Sequence, residues 1–320
     1  MKPIRQITVL GLGTMGHGIV QAFAAAGFEV RGFDTQKAAR DSLRKLIRRN
    51  LRDFVAAGLL RKASVAPVLA RIRVCDSEVE AVHGAQFVIE AVREDLAVKQ
   101  DLFQRLELFA AADTILASNS SCFPISQSAG KMRRPERAIV THWFNPPHLV
   151  PVVEVVAGPC TSARVVKATL ALLKRAGKVA VRIDQELPGF IVNRVQVAVM
   201  REVWDLLDRG IASPEAIDAA IRGSMGFRLA AVGPLEVHDF GGLDLQMRVF
   251  QNLVPEIASG TRVPGKIRQL VEAGHFGART GKGIYNYTPA SLAARRTRRD
   301  QGLLALLKMF YARDPRPSAK

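Results

Sequence analysis

Three glycines, Gly11, Gly13 and Gly16, stand between a short apolar run, Gln6-Ile7-Thr8-Val9-Leu10, and a run of helix formers from Ile19 to Ala26 that ends at Gly27. A strand, a glycine turn and a helix in that order admit few folds. The first glycine permits a tight turn and the second lets the backbone approach a pyrophosphate. The third lets helix and strand pack closely, while the helix N-terminus offers free N–H groups to an anion. The turn residues Thr14 and Met15 belong to the same predicted cofactor site. A second strand, Glu29-Val30-Arg31-Gly32-Phe33, runs into Asp34. An acid there accepts the ribose hydroxyls and repels a 2′-phosphate, so NAD is the expected cofactor. Lys37 and Arg40, close by, are the counter-signal for NADP.

Strand and helix signals go on alternating as far as Ile183. Phe87 to Val92 is apolar and strand-like, Leu96 to Ala112 helical, and Thr114 to Ser118 a strand that delivers Asn119, Ser120, Ser121 and Cys122 to its C-terminal end. Ligands bind at that edge of an open parallel sheet. Ala138 to Thr141 delivers His142 to the same edge, and Val152 to Val156 follows, carrying Glu154. An imidazole titrates nearest neutrality, and a carboxylate bonded to one ring nitrogen fixes which nitrogen faces the substrate, so His142 and Glu154 are read as an acid/base pair. Ser121 and Asn193 are suited to hydrogen-bond the developing oxygen charge. After Val179 to Ile183 the pattern changes at Pro188-Gly189 and helical segments predominate. The expectation is an α/β fold: a Rossmann-type, mostly parallel sheet domain over residues 1–186, then an all-α helical domain over 187–320.

Composition limits the partners. The 46 Lys and Arg against 29 Asp and Glu give a net charge of +17, which invites a polyanion. Much of the excess lies in two helix-like segments, Arg40 to Lys62 and Arg295 to Lys308, where leucines recur at helical spacing and basic residues form a solvated face. With aromatics at 6% and no zinc-finger spacing, nucleic acid is not an expected partner, and an anionic small molecule is. Cys75, Cys122 and Cys160 are too scattered for a disulfide framework or a metal site, and they fit a reducing, cytoplasmic location. Lys2 and Arg5 before an apolar run imitate a leader peptide, but cleavage would remove the glycine turn. No membrane span is expected.

In order along the chain, these residues resemble the L-3-hydroxyacyl-CoA dehydrogenase superfamily from Ile7 to about Tyr287. Gly11 to Gly16 and Asp34 match its NAD turn and ribose acid. Glu94 and Lys99 fall where the family contacts the nicotinamide half, and Asn119 and Ser121 match its Asn-x-Ser element. His142 and Asn145 match His-x-x-Asn-Pro, Glu154 the partner acid, and Pro188-Gly189-Phe190-Ile191-Val192-Asn193-Arg194 the opening of the helical domain. The resemblance implies NAD-dependent oxidation of an L-3-hydroxyacyl-CoA, with substrate between the two domains and a homodimer formed by the second. Where the family carries a lysine toward the CoA nucleotide, this chain has Ala57, so Arg48 and Arg52 are the proposed replacements. Ser120-Ser121-Cys122, Gly226 to Ala230 and the basic tail lean instead toward the L-gulonate 3-dehydrogenase and lambda-crystallin branch. A free hydroxy acid is therefore the alternative substrate, and a crystallin-like structural protein the alternative of another class. A 6-phosphogluconate-type enzyme is disfavoured by Asp34 and His142.

Overall fold

A computed structural model describes residues 4–311 of the chain. Eight strands among them form one sheet: β1 (Gln6–Leu10), β2 (Glu29–Phe33), β3 (Ile72–Val74), β4 (Phe87–Glu90), β5 (Ile115–Ser118), β6 (Ala138–Trp143), β7 (Val152–Val156) and β8 (Val179–Ile183). Their spatial order is β3-β2-β1-β4-β5-β6-β7-β8. Neighbours run parallel except β6 and β7, which pair antiparallel. Strands covered on both faces read as continuous apolar runs because each face needs its own core. Ile7 and Val9 of β1 join one cluster with Ile19, Val20 and Phe23 of helix α1 (Gly16–Ala25). Leu10 and Val88 point the other way, to Leu102, Phe103 and Leu106 of the helix Leu96–Phe109.

Helix ends follow from local chemistry. α1 stops at Gly27, whose φ of +93° suits glycine, and Phe28 N–H turns back to the Phe23 carbonyl. Helix α2 (Lys37–Ala56) ends the same way at Gly58, with Leu59 N–H bonded to the Phe54 carbonyl. Its buried stripe is Leu43, Ile47, Asn50 and Leu51. Asn50 donates from Nδ2 to Gln21 of α1 at 3.0 Å, while the basic residues face out. The helix predicted to reach Lys62 therefore stops at a glycine.

The chain divides into two compact units, residues 4–191 with 303–311, and Val192–Gly302. The division expected after residue 186 falls five residues later. Phe190 is fully buried in the second core cluster of the first unit, and the Ile191 N–H is held by Glu154 at 3.1 Å, so the Pro188-Gly189 turn stays with the sheet. The end of the chain, expected in the helical domain, returns to the first unit from Leu303, with Leu304 buried. The second unit is helical, from Val192–Asp208 to the greater part of the last helix, Pro289–Tyr311. Its one buried apolar side chain among the described residues is Ile217.

Lys178, just before β8, carries a buried ammonium group with two carbonyl acceptors, Pro147 at 2.7 Å and Val150 at 2.8 Å. Burial pushes its pKa down to about 8. Between about 8 and the ordinary lysine value of roughly 10.4 the unfolded chain holds this proton and the folded chain does not, so raising pH favours folding through this group. The stabilising effect is complete above that window and lost as pH falls through about 8. Chemical denaturation at pH 7.5 and at pH 9.5 is expected to show wild type gaining stability relative to Lys178→Met at the higher pH. An unchanged difference would mean that the ammonium is not buried.

Candidate functional site

The glycine turn is tightly determined. Gly11 has φ of +90°, and a Cβ there would lie 2.5 Å from the Ala91 carbonyl oxygen. At Gly16 a Cβ would lie 1.8 Å from the Gly11 carbonyl oxygen. Around Gly13, by contrast, the space is open within 4 Å, and Gly13 and Thr14 are exposed with Met15 half-buried behind them. The open backbone at this point, at the N-terminus of α1, is a cradle that a pyrophosphate fits. Asp34 accepts Leu12 N–H at 2.7 Å through one oxygen and Gln36 N–H at 2.8 Å through the other. It therefore ties the turn to the end of β2. The two cations that favoured NADP are engaged elsewhere: Lys37 pairs with Asp41 at 2.7 Å, and Arg40 donates to the Asp34 carbonyl at 2.6 Å.

Glu94 clamps the turn after β5. One of its oxygens accepts the Ser120 hydroxyl at 2.5 Å, Ser121 N–H at 2.9 Å and Cys122 N–H at 3.1 Å. The other lies 3.1 Å from Lys99 Nζ. Burial pushes the Glu94 carboxyl up, but the Ser120 hydroxyl, the Lys99 ammonium and the Ser121 N–H outweigh it and hold the pKa below its ordinary value. Lys99 is itself buried, 2.7 Å from Glu90 of β4, which also binds the Ser118 hydroxyl. Lys99, predicted at the cofactor, thus has its ammonium between two carboxylates.

His142 lies within β6, one residue short of the strand's end, directly opposite Glu154 of β7. The strand predicted to stop at Thr141 runs on to Trp143 because the antiparallel ladder continues through the Trp143 and Val153 pair. His142 Nδ1 is 2.7 Å from one Glu154 oxygen, and both residues are buried. Rings of Phe144 and Phe190 flank the imidazole at 4.4 and 5.6 Å between centroids. Phe190 has φ of +48°, a left-handed conformation costing a non-glycine residue about 1–2 kcal/mol. Burying its ring against His142 offsets that cost. Asn119 accepts Trp143 N–H at 2.9 Å and so links the β5 turn to the histidine strand. Asn145 follows, itself exposed, joined by a cis peptide to Pro146 in a largely buried loop.

The first unit thus brings together the glycine turn, Asp34, the Glu94–Lys99 clamp, Asn119, Ser121, His142, Asn145 and Glu154. Asn193 lies in the first turn of the first helix of the second unit and is half-buried. Arg48 and Arg52 lie on the outer face of α2, both exposed. Sequence reasoning assigned no role to Glu90, Ser118, Phe144 and Phe190, and named Ser120 only as part of the turn at the sheet edge. Glu90, Glu94 and Lys99 were a visible signal, since spacings of four and five residues around a strand end place two carboxylates within reach of one ammonium.

Two family profiles cover this architecture, described as 3-hydroxyacyl-CoA dehydrogenase, NAD binding domain, over residues 6–187, and 3-hydroxyacyl-CoA dehydrogenase, C-terminal domain, over 189–287. The chain belongs to the 3-hydroxyacyl-CoA dehydrogenase family. Like its relatives, this dehydrogenase is an oxidoreductase that uses NAD. It is 33% identical over 314 residues to the 5-formyl-3-hydroxy-2-methylpyridine 4-carboxylate 5-dehydrogenase of Mesorhizobium japonicum, across 97% of this chain and 100% of that one. It is 36% identical over 285 residues to the probable 3-hydroxybutyryl-CoA dehydrogenase of Bacillus subtilis, across 89% and 98%. A crystal structure of a 5-formyl-3-hydroxy-2-methylpyridine 4-carboxylic acid 5-dehydrogenase, described as an NAD+-dependent dismutase, superposes with a TM-score of 0.91 at 32% identity, covering 97% and 100%.

Because Asp34 is the expected ribose acid and holds Leu12, Asp34→Ala in the dehydrogenase should weaken NAD about ten- to hundredfold, the equivalent of one charged hydrogen bond of about 1.5–3 kcal/mol. The NADP-to-NAD preference should rise, since the repelling charge is gone. Dissociation constants for both nucleotides by calorimetry check this, and unchanged NAD affinity would contradict it.

Proposed function

We propose that the dehydrogenase interconverts an L-3-hydroxyacyl-CoA and its 3-oxoacyl-CoA, with His142 as the acid/base. The observation that supports this best is the buried 2.7 Å contact of His142 Nδ1 with Glu154 at the C-terminal edge of the parallel strands. With Nδ1 committed to the carboxylate, Nε2 is the nitrogen that takes the hydroxyl proton in oxidation and returns it in reduction. Glu154, steadied by the Ile191 N–H on its other oxygen, holds the ring and stabilises the imidazolium. NAD, when bound, accepts the hydride. The Ser121 hydroxyl, on the turn that Glu94 clamps, and the Asn193 amide are the proposed donors to the substrate oxygen. Gly11, Gly13, Thr14, Met15, Gly16 and Asp34 hold the nucleotide, with Asn119 and Asn145 toward its nicotinamide half. Lys99 acts through Glu94. Arg48 and Arg52, exposed on α2, are proposed to meet CoA phosphates. Free thiols at Cys75, Cys122 and Cys160 support a reducing, cytoplasmic setting. Among the described residues no helix is long and apolar enough to cross a membrane.

A second substrate reading, a free carboxylate without CoA, is favoured by the last helix. The family profile stops at residue 287, whereas the match to the pyridine carboxylate enzyme of Mesorhizobium japonicum runs on through that helix. Lys308 on this helix brings Nζ to 3.3 Å from where a Cβ on Gly58 would sit, at the end of α2 beside Ala57. That is the stretch where the CoA nucleotide contact was expected. Turnover of acetoacetyl-CoA, L-gulonate and 5-formyl-3-hydroxy-2-methylpyridine 4-carboxylate, followed by NADH absorbance, separates the readings. Acetoacetyl-CoA is expected to be reduced best, and a preference for either free acid would replace the first reading with the second. His142→Ala should lower turnover of whichever substrate is used by roughly two to four orders of magnitude with NAD affinity retained, and Glu154→Gln by less. Near-wild-type turnover in His142→Ala would remove the mechanism.

The second unit is proposed to pair with a second copy of the chain. Phe227, Leu235, Phe240 and Leu243 are 76%, 84%, 77% and 65% exposed, and a helical unit with one buried apolar side chain lacks a core of its own. Light scattering should give twice the 34.9 kDa chain mass, and a monomer at working concentration would count against this pairing.

A further inference from the structure

Lys178 takes no part in the chemistry described above, yet it touches the segment that joins the histidine strand to the phosphate turn. Its Nζ donates to the carbonyls of Pro147 and Val150, and it stands 5.2 Å from the ring centroid of Trp143, the residue after His142. Next to it, Val179 N–H bonds the Pro151 carbonyl at 3.0 Å. The loop after β6 is thus pinned from the β8 side.

Its opposite side presses on α1. A Cβ added at Gly18 would lie 2.6 Å from Pro147 Cγ and 2.8 Å from His148 Nδ1, so glycine is required for this approach. The His148 ring is 5.8 Å from that of His17, and His17 Nδ1 is 2.9 Å from the carbonyl oxygen of Gly13 in the phosphate turn. A continuous run of contacts therefore leads from the Lys178 ammonium through the loop to the glycine turn, all within the first unit.

We propose that Lys178 is a positioning residue for NAD binding, whose ammonium holds the loop 145–150 so that Asn145 and the start of α1 are presented to the cofactor in a fixed geometry. Two partly buried carbonyls, those of Pro147 and Val150, share this one donor group, and an ammonium supplies two bonds at once. Lysine on this site costs desolvation, which burial has already expressed in its lowered pKa. An apolar side chain of the same length would fill the space but let the carbonyls turn toward water, and the loop would move with them.

Calorimetric titration of the full chain with NAD, alongside thermal melts, tests this for Lys178→Met and Lys178→Arg. This readout depends on the phosphate turn and not on the substrate proposed above, so the two ideas fail separately. Lys178→Met is expected to bind NAD about tenfold more weakly, and Lys178→Arg, which keeps charge and donors, to recover most of the loss. A purely structural lysine would lower the melting temperature and leave NAD affinity within about twofold of wild type, and that result overturns the proposal. Should Lys178→Met not fold, Lys178→Gln, with two N–H donors and no charge, takes its place with a smaller expected loss, and the same unchanged affinity overturns the proposal.

Discussion

The antiparallel junction between β6 and β7 is what brings His142 and Glu154, twelve positions apart, into contact. Residues directly opposite in such a ladder point to the same face with their Cβ atoms about 4.5–5.5 Å apart. His142 and Glu154 are such a pair, and a slip of one residue would send the carboxylate to the other face of the sheet. Register is fixed by burial on both sides, since Val140, Val153, Val155 and Val156 are fully buried. The switch of direction also matters for position. Strands up to β6 bring their C-terminal ends to one edge, and β7 starts from that edge, so its first half delivers Glu154 back to where His142 arrived.

Around this pair the protein uses buried charge as a clamp. Lys99, 1% exposed, sits between Glu90 and Glu94, and breaking such a set by removing one partner costs far more than the set contributes to stability. Its value is geometric. Glu94 gathers Ser120, Ser121 and Cys122 onto one carboxylate oxygen, and Glu90 ties Ser118 of the neighbouring strand. The polar turn after β5 is therefore held through Glu94 by Lys99, whose other contact, with Glu90, is buried on both sides, while Asn119 joins the turn to β6. A serine on a loose turn would spend orientation entropy on each substrate. Here that entropy is already lost on folding.

Much of this was legible in the sequence. β1, β2, β7 and β8 fall on the residues their apolar runs predict, and the glycine turn and Asp34 were visible because a phosphate site needs particular residue types at fixed spacing. β3 escaped notice because Ile72-Arg73-Val74 is three residues long and its middle residue is charged. The edge strand needs only Ile72 inside, so no apolar run announces it. Pro188-Gly189 signals a turn, and a turn says nothing about which core the following phenylalanine enters. Phe190 goes to the sheet. Its positive φ and its contact with His142 are tertiary effects that no local pattern encodes.

The charge of +17 and the bare apolar surface of the second unit belong to one problem. A unit that keeps Phe227, Leu235 and Phe240 exposed would associate without selectivity unless something opposed it. Net positive charge opposes it at long range, where the field of each copy repels the others, and is screened beyond roughly 8–10 Å at ordinary ionic strength. Apolar contact acts only at short range and gains about 25 cal/mol per Å² buried. The combination favours the one arrangement that buries the largest matched surface and penalises looser encounters that bring charge together for little burial. Much of the excess charge lies on α2 and the last helix, where basic residues cover the outward faces. The same distribution thus acts against unselective contact, without the basic faces having to bind nucleic acid.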